Sequence, residues 1–293
     1  MKRFGKVFAR FICVFILNKN LRRRVRWILD PCSPPNLIKY FGKKYLPKVQ
    51  ISKKFNCGEK SDYIFQCWLQ GYDNAPNIVK NCIDSVEKFK GHRKHIIITN
   101  ENLSDWVNIP QFILDKYKNG KIGHAHFADI LRLYLLSQYG GYWIDTTCLM
   151  TDNIPDVIEN SNFFMFHSSG RWEWTLINNC FIRSYKENSF INSWRDMLTE
   201  YWRGENRALD YFFCHLLFRT LLLNPMLKSE FDKMPIISQE EIHKLAFCLG
   251  DELNQKQIDE VCKVSFIQKL TYKLSNGEFD NPKSVASILN KRD

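Results

Sequence analysis

The chain has 293 residues, 45% of them hydrophobic, with 42 Lys and Arg against 31 Asp and Glu. That apolar share excludes a disordered chain, and the length allows one large α/β domain or two small ones. The formal charge of +11 is uneven: residues 1–54 hold 15 basic residues and one acid, Asp30, while the rest is slightly acidic, which argues against a basic nucleic-acid-binding body.

Met1 to Leu17 sets Phe4, Val7, Phe8, Phe11, Ile12 and Phe15 against Lys2, Arg3, Lys6 and Arg10. This is the pattern of a basic amphipathic helix that lies on an anionic membrane surface, against a solvated basic arm or a helix packed on a partner subunit. The apolar run Phe11–Leu17 is far short of the roughly 20 residues a span needs, and no small-residue cleavage site follows it. Arg22, Arg23, Arg24, Arg26 and the interfacial Trp27 extend the basic arm. The expected placement is peripheral, on the cytoplasmic face of the cell membrane. Asp30-Pro-Cys-Ser-Pro-Pro35 breaks this helix, residues 36–61 read as a connector, and the globular body begins near Asp62. The division is 1–54, a membrane-associating segment with its connector, and 55–293, the folded domain.

Tyr63–Leu69 reads as a strand. Asn74-Ala-Pro76 opens a helix whose apolar face is Ile78, Val79, Cys82, Ile83, Val86 and Phe89. Ile96-Ile97-Ile98 forms a second strand, completing a βαβ unit. Ala125–Tyr139 is nearly apolar all round, the pattern of a buried helix, yet it carries Asp129 and Arg132 on one face. Gly140 stops it. Tyr142-Trp143-Ile144 favours a buried strand, ending at Asp145, where open α/β sheets place their ligand crevice. Strands are expected over Asn162–Phe166 and Trp174–Ile182. Helices are expected over Ser189–Trp202, Arg207–Leu222, Gln239–Leu249 and Ser284–Asn290. The ten cysteines contain no C-x-x-C pair, so buried reduced thiols fit better than a zinc ribbon or a disulfide framework.

Ala128-Asp129-Ile130-Leu131-Arg132, followed by Tyr139-Gly140-Gly141-Tyr142-Trp143-Ile144-Asp145, resembles the signature of DXD-containing glycosyltransferases. The closest look-alikes are capsular polysaccharide synthesis transferases, and the fungal outer-chain mannosyltransferases and glucosylating clostridial toxins are more distant. Ile64–Gly71, Leu209–His215 and Lys269-Leu-Thr-Tyr-Lys273 fall in the same order as weaker motifs, so the likeness spans Tyr63 to Lys273. It implies a GT-A-like, Rossmann-related α/β fold with added helices. It also implies hexose transfer, with retention, from a nucleotide-sugar such as a UDP-sugar to a glycan or lipid-linked acceptor. Carried across, Asp129, Arg132 and Asp145 meet the donor, Trp68 lies near its base, and Asp145 helps hold Mg²⁺ or Mn²⁺.

The chain departs from the pattern at Thr147, where the second acid would stand. Either Asp145 holds the metal with phosphates and water, or Arg132, Lys269 and Lys273 neutralise the diphosphate directly. Asp210 is a candidate near the reacting carbon, against a purely structural hydrogen bond. His215 reads as core. Asn178 and Asn179 are candidates for acceptor hydroxyls. His124 and His126 have ligand-like spacing but no third ligand. Two rival readings remain: a nucleotide-sugar-binding protein that has lost catalysis, and a nucleic-acid-binding protein using the basic N-terminal segment.

Overall fold

The computed structural model describes residues 11, 13–52, 58–273 and 281–291. Most of the amphipathic pattern at Met1–Leu17 lies outside them. The first helices are α1 (Lys19–Leu29) and α2 (Pro34–Lys44). α2 corrects the connector reading of residues 36–61. Its prolines sit in the first turn, where a missing N–H costs nothing, and Leu37, Phe41 and Tyr45 recur on one face. All three are fully buried in the main core. Tyr40 and Tyr45 donate to Glu205 Oε1 at 2.7 and 3.0 Å, and Lys44 pairs with the same oxygen at 3.0 Å.

The βαβ unit consists of β1 (Tyr63–Cys67), α3 (Asn77–Phe89) and β2 (Lys94–Ile98), with β1 and β2 parallel and in register from Tyr63↔Lys94 to Cys67↔Ile98. α4 (His124–Tyr139) then leads into β3 (Gly141–Ile144), which pairs in parallel with the other edge of β1. The turn between them requires two glycines. Gly140 has φ +67° and closes α4 with its N–H on Leu136 O. Gly141 has φ +88°, and a Cβ there would stand 2.3 Å from Tyr63 O, so any side chain would push β3 off β1.

After β4 (Cys148–Met150) come β5 (Phe163–His167) and β6 (Ile177–Ser184), which complete a sheet of order β2-β1-β3-β6-β5. β6 runs antiparallel to both β3 and β5. α5 (Ser189–Gly204) packs on α4, and α6 (Phe213–Leu221) packs on α2 and α5. Far along the chain, β7 (Ile267–Lys269) pairs antiparallel with β4. A second apolar cluster, including Val79, Cys82, Leu245, Ile258 and Val285, holds the C-terminal elements against α3.

The expected α/β class is present, with several boundary corrections. Trp174 and Thr175 belong to a 3₁₀ segment, Gly170–Thr175, and β6 starts only at Ile177. Gln239–Leu249 is not one helix but a 3₁₀ turn, Glu241–His243, followed by the short helix Lys244–Phe247. The helix expected from Arg207 begins at Phe213. The Asp210 carboxylate accepts the Phe212 N–H at 2.8 Å, and this local turn competes with helix.

Candidate active site

β1 sends the chain to β2 on one side, while β3 lies on its other side, so the strand order switches between β1 and β3. A cavity of about 510 Å³ lies at this point and is lined by Cys67 from the end of β1 and Asp145 just past β3. Both its position and its size suit a small-molecule site.

The cavity holds a connected set of charges. Arg132, on the buried α4, reaches Asp129 Oδ1 at 3.5 Å and Asp145 Oδ1 at 3.3 Å. It also donates to Asn179 O at 2.7 Å, and its guanidinium lies 5.1 Å from the Trp143 ring centre. Asn179 Nδ2 donates to Asp129 Oδ1 at 3.0 Å. The Trp143 indole donates to Asp145 Oδ1 at 2.9 Å. This last contact was open to sequence reasoning: a buried indole N–H needs an acceptor, and residues two apart in an extended chain share a face.

Burial pushes the Asp129 pKa above its usual value, although Arg132 pulls the other way. Burial also works against the Arg132 guanidinium, but Asp145 and Asp129 outweigh it and raise its pKa.

Lys269 arrives from β7, 122 residues after Thr147. The β4–β7 ladder sets Lys269 opposite Cys148, and Leu270 N donates to Thr147 O at 2.8 Å. Lys269 Nζ therefore donates to Thr147 Oγ1 and stands 3.7 Å from Asp145 Oδ2. Burial disfavours the ammonium, but Asp145 outweighs it, and the Lys269 pKa lies above the ordinary lysine value. Lys273 also lines the cavity.

Asp145, Asp129, Arg132, Lys269, Lys273, Asn178 and Asn179 are thus brought together. Asn178 Nδ2 is held by Gln239 Oε1 at 2.9 Å. Asp210 is not among the lining residues and serves the turn before α6. Trp68 is not a lining residue either. It meets Tyr272 edge-on at 5.4 Å, and of these two rings Tyr272 is the one that lines the cavity. His215, read as core, does line it. Burial, with Arg132 second, pushes its pKa down to about 3, so its imidazole is neutral at pH 7, and its Nδ1 is buried without a partner. Burial pushes the Cys67 thiol up to about 12, which disfavours a thiolate nucleophile. His124 and His126 are engaged separately, with Tyr117 Oη at 2.7 Å and Tyr211 O at 3.2 Å. Sequence reasoning missed Trp172 and Tyr211, which stand partly exposed at the rim around Phe212, and Gln239, which no sequence pattern signals.

These residues do not fit Mg²⁺ or Mn²⁺ well. Such ions take several oxygen ligands, carboxylates foremost. Here Asp145 Oδ1 is already held by Arg132 and Trp143, its Oδ2 faces Lys269, and Thr147 accepts from the same ammonium. Among the described residues no group of three His, Cys, Asp or Glu comes together to hold a metal ion.

The family model for "Capsular polysaccharide synthesis protein" matches residues 15–291. A curated relative, the O-glycosyltransferase braB of Annulohypoxylon truncatum, is 28% identical over 193 residues, which cover 60% of this chain. The match spans only 45% of that relative's own length. Among solved structures, the PaToxG glycosyltransferase aligns at 15% identity with a TM-score of 0.38, covering 87% of this chain and 95% of the other.

Proposed function

The chain belongs to the capsular polysaccharide synthesis protein family, and from that premise we propose that it is a glycosyltransferase. It moves a hexose from a nucleotide-sugar, in our reading UDP-linked, to a glycan or lipid-linked acceptor, with retention. The observation that carries this reading is the chain of charges Asp129–Arg132–Asp145–Lys269 on the wall of a cavity at the sheet's switch point. Buried charges of both signs are costly unless they serve a ligand or a fixed structure. Preorganised cations are what a departing diphosphate requires. The acceptor sugar rests at the lip formed by Trp172 and Tyr211, with Asn178 within the same cavity.

Thr147 also suits a protein that binds a nucleotide-sugar without transferring it. A screen of UDP-, GDP- and ADP-sugars separates the readings. One donor is expected to raise the melting temperature, because a ligand bound only by the native state must stabilise it. The same donor is expected to lose its sugar to acceptor or water. Stabilisation without any turnover would favour the non-catalytic reading, and no response to any donor would end the donor-site assignment.

We further place the protein on the inner face of the membrane. Among the described residues no helix is long and apolar enough to cross a bilayer. Phe11, Phe15, Leu17, Leu21 and Ile28 are exposed beside the basic residues of the arm. Because Leu37, Phe41 and Tyr45 belong to the core, the segment to remove is 1–29 rather than 1–54. Deleting it is expected to abolish sedimentation with anionic vesicles while leaving donor-induced stabilisation intact. Continued sedimentation of the truncated protein would refute this placement.

A further inference from the structure

The position that would hold a metal-binding carboxylate is occupied by Thr147, and its hydroxyl accepts from Lys269 Nζ. The same ammonium faces Asp145 Oδ2 at 3.7 Å and Leu270 O at 3.4 Å. Two carboxylates around a dication carry no net formal charge, and neither do Asp145, Thr147 and Lys269 together. Losing one acid and the metal while gaining one ammonium therefore leaves the local charge unchanged. Lys269 and Asp145 both line the cavity, and 23% of the one side chain and 25% of the other remain exposed. Lys269 is held in place by Thr147 and Asp145, and its long 3.4 Å contact with Leu270 O is the one that an incoming phosphate oxygen can replace, as suits a preorganised anion contact.

We propose that Lys269, held by Asp145 and Thr147, is the cation that receives the donor's diphosphate, so that this site works without a divalent metal. The inference rests on the donor-site reading above. In the transfer, the bond between the sugar C1 and the β-phosphate oxygen breaks with its electron pair staying on that oxygen. The acceptor oxygen bonds to C1, and the acceptor's proton ends on the released diphosphate. Negative charge grows on the departing phosphate throughout, and the Lys269 ammonium neutralises it. Lysine suits this task as a compact point charge. Its three protons allow contacts with Thr147, Asp145 and one phosphate oxygen at once, the phosphate replacing Leu270 O.

Titration calorimetry on the full-length protein tests this, with UDP, GDP and ADP and the matching nucleosides as probes, in EDTA and in Mn²⁺ or Mg²⁺. One diphosphate is expected to bind in EDTA, and added metal is expected to change its affinity by less than tenfold. Lys269→Ala is expected to weaken the diphosphate by about tenfold or more, the value of a charge-assisted contact, without altering nucleoside affinity. Thr147→Asp keeps Lys269 but sets a second carboxylate against it, and is expected to do the same in EDTA. This second variant keeps the test open if the alanine variant fails to fold. A metal-driven gain of tenfold or more in the parent would overturn the proposal, as would variants that bind diphosphate within tenfold of the parent. A nucleoside that binds as well as its diphosphate would remove Lys269's role and leave a base site. No binding by any probe would remove the donor-site reading and this inference with it.

Discussion

Arg132→Met is expected to destabilise the protein by about 3–5 kcal/mol, the usual loss when one partner of a buried ion pair is removed. Methionine fills the volume, so packing is not the cause. The cause is Asp129, which is buried on α4 and whose counter-charge is Arg132 at 3.5 Å, leaving only the Asn179 amide as a direct partner. Asp145 is better protected, because Trp143 and Lys269 remain. The loss therefore depends on pH with a definite sign. Burial already holds the Asp129 pKa above its ordinary value. An acid with a raised folded pKa holds its proton more tightly folded than unfolded. Its contribution to stability is full below the unfolded pKa and is lost as pH rises through the folded one. Without Arg132 the pKa climbs further, so the deficit relative to the parent is largest near pH 7 and shrinks toward pH 5. Urea melts of both proteins at the two pH values check this. A variant as stable as the parent, or a deficit that grows on acidification, would show that Arg132 does not compensate Asp129.

The helix that carries this pair was legible because an acid and a base stood out against eight apolar neighbours, and the observed His124–Tyr139 starts one residue before the expected span. The glycine turn and β3 were legible for the same reason: each residue had one local explanation. α2 was obscured by a conflict of signals. Leu37, Phe41 and Tyr45 recur at helical spacing, but two prolines and several lysines suggested a linker, and only the burial against α6 and α5 decides the matter. Asp210 was open in the sequence between chemistry near the reacting carbon and a structural hydrogen bond, and the contact it makes is with the backbone two residues on. Lys269 was nameable from its motif, but its contact with Thr147 was not. That contact depends on β7 choosing β4 as its partner across 122 residues, and no local pattern encodes a register of that kind.

Asp145→Asn is expected to lower kcat by about 10²–10³-fold, the scale of one lost electrostatic contact in a water-poor site, while leaving nucleoside diphosphate affinity within about threefold or tighter. The asymmetry follows from which contacts survive. The asparagine oxygen can still accept from the Trp143 indole, as Asp145 Oδ1 does at 2.9 Å, so the end of β3 keeps its shape. Lys269 keeps Thr147 and Leu270 O as acceptors and loses only its ionic partner. An ammonium freed from a carboxylate is a better anion site at rest, so the diphosphate product does not bind more weakly. Turnover has a different requirement, because the sugar becomes cation-like as the phosphate leaves, and in the proposed reading Asp145 and Lys269 are the pair that responds to both. Removing the carboxylate keeps the diphosphate contact and loses the balance between the two. Lys269→Ala should show the complementary pattern, with diphosphate binding and turnover falling together. Single-turnover rates and diphosphate titrations on the same preparations separate the cases. If Asp145→Asn retains more than a tenth of the parent's rate, or loses binding and turnover in parallel, Asp145 is a structural partner of Arg132 and not a participant in transfer.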